Sequence, residues 1–203
     1  MKPIRSRIGS LLATTLLFAL FLAFAWANFH HWRQTGRPSG IGATVLEAWV
    51  AVLFIARRPA AQVSRSRLAW IAAPIGSFAM LLARPEPAGL TQLPCEALQL
   101  LGVVVALVSL GTLGRSFGLV AANRGIKTDG PYGLIRHPAY TGYLVAYLGY
   151  VAENPSLRNV ALLGLSTLFQ LVRIGEEERV LHGDEHYRAY ARRVRFRVVP
   201  YVY

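Results

Sequence analysis

The stretch AYTGYLVAYLGYVA (139–152), the turn ENPS (153–156) and the stretch NVALLGLSTLFQLV (159–172) decide how this chain is built. Two apolar runs are separated by a turn that holds Asn154 and Pro155, which predicts helix, turn, helix. At 1.5 Å per residue, a run of 14 residues spans about 21 Å, short of the roughly 30 Å hydrocarbon core of a bilayer. The pair must therefore extend through its polar flanks, thin the bilayer, or sit shielded by other helices. The second run is expected to continue as helix into the charged stretch 173–181.

Four more apolar blocks precede this pair. Block 8–28 has no charge, 41–56 is interrupted only by Glu47, 68–83 carries Pro74 and Gly76 as an expected kink, and 97–114 leads toward the pair. Lys2, Arg5 and Arg7 precede the first block, and Ala25-Trp26-Ala27 resembles a signal-peptidase site. The length of the block, and the apolar blocks beyond it, favour a retained helix over a cleaved signal. The expected fold class is an all-α integral membrane protein of six transmembrane helices, the last two a helical hairpin.

Composition agrees. The chain is 54% hydrophobic and 16% charged, where a soluble domain carries about a quarter charged residues. The formal net charge of +12 does not point to nucleic acid, because the basic residues flank apolar blocks rather than forming a stripe on a soluble module. Such flanks face anionic lipid headgroups, so membrane lipids are the expected partners. Cys95 is the sole cysteine, which excludes an intramolecular disulfide and leaves no Cys/His cluster for a metal.

Lysine and arginine fix the orientation. Alternate segments hold three at the N-terminus, four between 57 and 67, four between 115 and 136, and seven from Arg173 onward. The intervening segments hold two, one and one, so the split is 18 against 4. That is the positive-inside pattern for six spans with both termini in the cytoplasm.

The same pattern puts two polar, aromatic segments on one side of the membrane: the connection 115–138 and the tail 173–203. In the connection, Pro138 suits the first turn of a helix, where its missing N–H costs nothing. His137 then sits near the N-cap, beside free N–H groups and the positive end of the helix dipole, a place for a carboxylate. The alternative is that Arg136-His137-Pro138 only anchors a helix start among headgroups. In the tail, Arg173 and Glu177 are four apart and share a helical face. Of Glu176, Glu177 and Glu178, one or two can face the protein and pair with a cationic group. Tyr187, Tyr190 and the arginines at 192, 193, 195 and 197 read as a segment lying on headgroups. Glu47, mid-span, should face the bundle and find a partner. His30 and His31 fall on the opposite side, as interfacial residues.

An ordered set of motifs runs through these segments: Leu113-Gly114-Arg115-Ser116-Phe117, Gly130-Pro131-Tyr132, RHPAYTG (136–142), Asn154-Pro155, Arg173, the three glutamates, Leu181, Gly183, Tyr187, Tyr190 and Pro200. In this the chain resembles the isoprenylcysteine carboxyl methyltransferase family, which is related to membrane phospholipid N-methyltransferases. The resemblance covers roughly 113–200. It implies a single membrane domain over 1–203, with N-terminal helices in 1–96 and, in 97–203, a catalytic core whose cytoplasmic segments cap a cofactor pocket. It also implies methyl transfer from S-adenosylmethionine to a lipophilic or small acceptor: a prenylcysteine-like carboxylate, a phospholipid amine or a thiol. Carried over by position, Arg124, Gly125, Ile126, Lys127, Tyr132, His137, Pro138, Tyr140 and Glu177 match cofactor-binding residues. Arg173 and Glu177 match catalytic positions, with Arg173 turned toward the acceptor. The stretch 124–127 departs most from the family in residue identity. No metal is implied. The rival readings are a nicotinamide-dependent membrane reductase of sterol-reductase type and a non-catalytic membrane binding module.

The 18-to-4 charge split predicts that reporter tags at either terminus lie in the cytoplasm. A C-terminal tag on the opposite side of the membrane contradicts six spans.

Overall fold

The computed structural model describes residues 4–85 and 92–202. The chain divides into two compact units, Met1–Arg57 and Arg58–Tyr203. Its regular structure among the described residues is helical apart from one two-residue ribbon.

The first unit is a pair of helices, α1 (Ile4–Thr35) and α2 (Pro38–Ala56). The reversal between them turns on Gly36, whose φ of +68° is a left-handed conformation open to glycine. Phe21 and Phe54 pack across the pair with ring centroids 5.3 Å apart and planes tilted by 36°, and Arg57 donates to the Thr14 hydroxyl at 2.8 Å. Glu47 was expected to find a partner here. Its Oε2 is buried with no hydrogen-bond partner among the described residues.

The second unit holds α3 (Arg67–Phe78), α4 (Gln92–Leu113), α5 (Pro138–Glu153), α6 (Leu157–Leu181) and α7 (Glu185–Arg193). A ribbon of β1 (Gln62–Val63) against β2 (Ala122–Asn123) ties together the loops that precede α3 and follow α4. Every apolar block of the sequence is a helix. Four are long and apolar enough to cross a membrane: Gly9–Thr35, Pro38–Ala56, Leu93–Ser116 and Leu157–Leu181. The other two, Arg67–Leu82 and α5, are shorter. The last long helix does run on through the charged stretch, to Leu181.

Chain neighbours α5 and α6 are not the closest packing partners. α5 lies mainly on α4, and α6 on α3. The α4–α5 contact is backbone on backbone. A Cβ on Gly102 would stand 2.3 Å from the Ala146 nitrogen, and one on Gly142 would stand 2.5 Å from the Ala106 nitrogen. Small residues four apart on both helices, Gly102/Ala106 and Gly142/Ala146, permit this approach, as between membrane helices generally.

The α3–α6 contact is polar. Pro74 lies inside α3, whose α-helical turns give way after Phe78 to a 3₁₀ turn, Ala79–Leu82. The Gly76 carbonyl accepts instead from Ser166 Oγ at 2.9 Å and Gln170 Nε2 at 3.2 Å. Ser166, Gln170 and Ile174 are all buried, each four residues after the last. They mark the inward stripe of α6, and that stripe leads directly to Glu178.

Gly142→Ala is expected to destabilise the protein by about 1–3 kcal/mol, the range for overpacking a filled contact. Gly111, in the same α4, has open space around its Cβ position, so Gly111→Ala should be neutral or slightly stabilising. Thermal unfolding in detergent reads both, and equal effects would contradict the close approach.

Candidate active site

The site is built where the start of α5, the end of α6 and the C-terminal segment converge. Gly130 takes φ +55° and opens a 3₁₀ turn, Gly130–Gly133. The chain then enters α5 with His137 at the N-cap and Pro138 at the first helical position, as the sequence leads one to expect. The segment after α7 returns along this start. Arg136 N–H donates to the Phe196 carbonyl at 2.9 Å, His137 N–H to that of Arg197 at 2.7 Å, and Thr141 Oγ1 to that of Val198 at 2.7 Å. The connection and the tail thus meet.

What fastens them is Glu178, whose side chain is 4% exposed. Its Oε1 accepts from Arg136 Nε at 2.7 Å, His137 Nε2 at 3.2 Å and the Tyr187 hydroxyl at 3.3 Å. Its Oε2 accepts from Arg197 Nε at 2.9 Å. Arg136 also donates to the carbonyls of Val194 and Arg195, at 2.8 and 2.9 Å. A buried carboxylate is tolerable only when so paired. Around the hub, Tyr132, Tyr187, Tyr190 and Val194 form a buried cluster with Ile126 and Leu113 against it. The Tyr190 hydroxyl donates to the Tyr132 carbonyl at 2.7 Å. Burial pushes the phenols up: Tyr190 to about 12, and Tyr132 well above the usual tyrosine range, with the Glu177 carboxylate adding to the rise. Both hydroxyls therefore stay protonated at neutral pH, and neither is a base.

The three glutamates divide by environment. Glu176 is buried, paired with Arg179 and accepting from Ser64 Oγ at 3.5 Å. Glu178 is the hub. Glu177, with its side chain 20% exposed, lies among three other residues expected at the site, His137, Tyr140 and Arg173. Its Oε1 accepts from the Tyr140 hydroxyl at 2.5 Å and lies 3.9 Å from Arg173. Its Oε2 lies 3.7 Å from His137 Nδ1, longer than a hydrogen bond. The Arg173 guanidinium sits over the Tyr140 ring, 5.2 Å from its centroid. It donates to Ser77 Oγ at 2.7 Å and to the Leu119 carbonyl at 2.9 Å, and its buried Nε has no acceptor among the described residues.

His137, Tyr140, Arg173 and Glu177 therefore form one contiguous group. Tyr132 stands close enough for the charge of Glu177 to act on it, and Pro138 is fully buried at the base of α5. The remaining expected residues lie along the loop after β2. Arg124 packs where a Cβ on Gly118 would be, and its carbonyl accepts from Ser116 Oγ at 3.2 Å. Gly125 is exposed at φ +102°, Ile126 enters the tyrosine cluster, and Lys127 is half-buried. Sequence reasoning missed Glu178, Arg136 and Arg197 as a unit, and it read Arg197 as lying on headgroups. The available signal was the four-residue step from Ser166 through Gln170 and Ile174 to Glu178.

Residues 91–189 match the phospholipid methyltransferase family. The second unit therefore carries a domain of that family. The match takes in α4, α5, α6 and the start of α7, and with them every residue of the group just described. This is a membrane methyltransferase domain, and its long apolar helices accord with that. No curated protein matches the chain.

Glu178→Gln removes the charge shared by two guanidiniums and should lower stability by about 3 kcal/mol or more, as when one partner of a buried ion pair is lost. Glu177→Gln, at a partly exposed position, should cost less than about 1 kcal/mol. Thermal unfolding of the two variants in detergent checks the order, and the reverse order would contradict the division of roles.

Proposed function

We propose that residues 97–203 are the catalytic core of an enzyme that transfers a methyl group from S-adenosylmethionine to a lipophilic acceptor at the cytoplasmic face of the membrane, with both termini in the cytoplasm. The observation that carries this reading is Glu177. It is the one of the three glutamates that keeps both partial exposure and a carboxylate oxygen beyond hydrogen-bond distance of its neighbours. A carboxylate so placed, held by Tyr140 and flanked by aromatic rings, fits a ligand with an ammonium group and a sulfonium.

Bound there, the cofactor supplies an electrophilic methyl group. The chain supplies position. Glu177 holds the ammonium, and the faces of Tyr132 and Tyr140 pack on the cationic and aromatic parts. Pro138 shapes the floor, and the backbone of Arg124, Gly125, Ile126 and Lys127 closes the pocket. The ring of His137 lies between the carboxylates of Glu177 and Glu178. A third carboxylate beside it is unfavourable, so we assign His137 to orienting Glu177. Arg173, fixed by Ser77 and Leu119, presents its remaining donor toward the acceptor and orients a carboxylate or phosphate there. In-line methyl transfer to a good nucleophile needs alignment and exclusion of water more than acid–base help. The protonated state of Tyr132 accords with that.

The test is binding of S-adenosylhomocysteine to the detergent-purified protein by calorimetry. Glu177→Gln should weaken it by about tenfold or more, since a charge-assisted hydrogen bond is lost. Glu176→Gln should leave it unchanged. A folded wild type that fails to bind, or equal weakening by both variants, would overturn the reading.

A further inference from the structure

The helix α3 reaches the site from outside the matched residues 91–189. Its Gly76 lies so close to α6 that a Cβ there would stand 3.2 Å from the Gln170 nitrogen and 3.4 Å from Arg173 Cδ. The next residue, Ser77, is half-buried, and its hydroxyl accepts from Arg173 Nη1 at 2.7 Å. Nη2 of the same guanidinium donates to the Leu119 carbonyl at 2.9 Å. The group lies over the Tyr140 ring. Each terminal nitrogen of Arg173 is thus bonded to an uncharged oxygen.

A carboxylate is within reach and is not used. Arg173 and Glu177 are four residues apart, the spacing at which opposite charges on a helix meet. With its side chain 11% exposed, Arg173 would gain more from a charged acceptor than from a neutral one. Yet Nη2 stays 3.9 Å from Glu177 Oε1, longer than a hydrogen bond. A guanidinium is planar and rigid, so fixing both of its ends fixes the whole fork. Were it to close on Glu177, that carboxylate would be neutralised by its own helix, and its attraction for an ammonium would fall.

We propose that Ser77 is a positioning residue of the cofactor site: it holds Arg173 off Glu177 and so keeps that carboxylate available to the ammonium of the bound ligand. Leu119 shares the task, but through a backbone carbonyl that any residue there would supply. Ser77 is the part of the restraint that the side chains specify. The ligand is the one proposed above, so the role rests on that reading for its ligand and on the distances to Ser77, Leu119 and Glu177 for its geometry. Ser77 acts through Arg173 alone.

The test is calorimetric titration of the full-length protein in detergent with S-adenosylhomocysteine. Ser77→Ala should weaken binding by about three- to tenfold, the worth of one charge-assisted contact at a partly open site. Ser77→Thr, which keeps a hydroxyl acceptor, should restore it. In an Arg173→Gln background Ser77→Ala should change nothing, because no guanidinium remains to compete. Wild-type affinity in Ser77→Ala, or the same loss in both backgrounds, would overturn the proposal. A second measurement needs no ligand. Arg173→Gln and Glu177→Gln are combined in a double-mutant cycle read by thermal unfolding, with Ser77 intact and with Ser77→Ala. The non-additivity should be larger with Ser77→Ala, since the pair then closes. Equal non-additivity would overturn the role of Ser77. A folded wild type that binds no S-adenosylhomocysteine would overturn the cofactor reading alone, and the cycle would still decide whether Ser77 restrains Arg173.

Discussion

A carboxylate removed from water must be repaid with charges and donors, and in this protein the carboxylate of Glu178 draws them from distant parts of the chain. Arg136 comes from the connection before α5, Tyr187 from α7, and Arg197 from the segment beyond it. The buried cluster of Tyr132, Tyr187, Tyr190 and Val194 packs beside them, and the anion at the end of α6 joins all three. Arg136 extends the effect by gripping the carbonyls of Val194 and Arg195, and the backbone of the returning segment then follows the first turn of α5.

Glu177 is displaced from Glu178 by one residue, about 100° around the helix. That rotation carries it out of the hub and beside Tyr140 and Arg173. Two adjacent glutamates therefore do different work. One is saturated and buries the tail. The other is partly exposed and retains acceptor capacity. His137 lies between them, its Nε2 bonded to Glu178 and its Nδ1 3.7 Å from Glu177. Arg173 closes the group from the other side, steadied by the broken end of α3 through Ser77.

Much of this was legible in the sequence where the physics is local. Apolar blocks became helices because backbone groups in lipid must be satisfied within a segment. Pro138 placed His137 at a helix start, and the spacing of Arg173 and Glu177 put them on one face. Less was legible where the physics is tertiary. The approach of Gly102 to Ala146 depends on which helices pair, and α5 pairs chiefly with α4 rather than with α6, to which its turn joins it. The transition after Phe78 and the capture of the Gly76 carbonyl by Ser166 and Gln170 could not be read from Pro74 alone. The roles of the three glutamates hung on the rotation of α6, which its polar stripe records but its composition hides.

The central claim, that one buried carboxylate fastens the C-terminal segment to the start of α5, is tested most directly by hydrogen exchange at single amides. The N–H groups of Arg136 and His137 bond the carbonyls of Phe196 and Arg197 and report on that fastening alone. In Glu178→Gln they should exchange much faster than in the wild type, while the amides in the middle of α4 and α5 keep their protection. Unchanged exchange at Arg136 and His137 would mean that the segment is held by something other than Glu178.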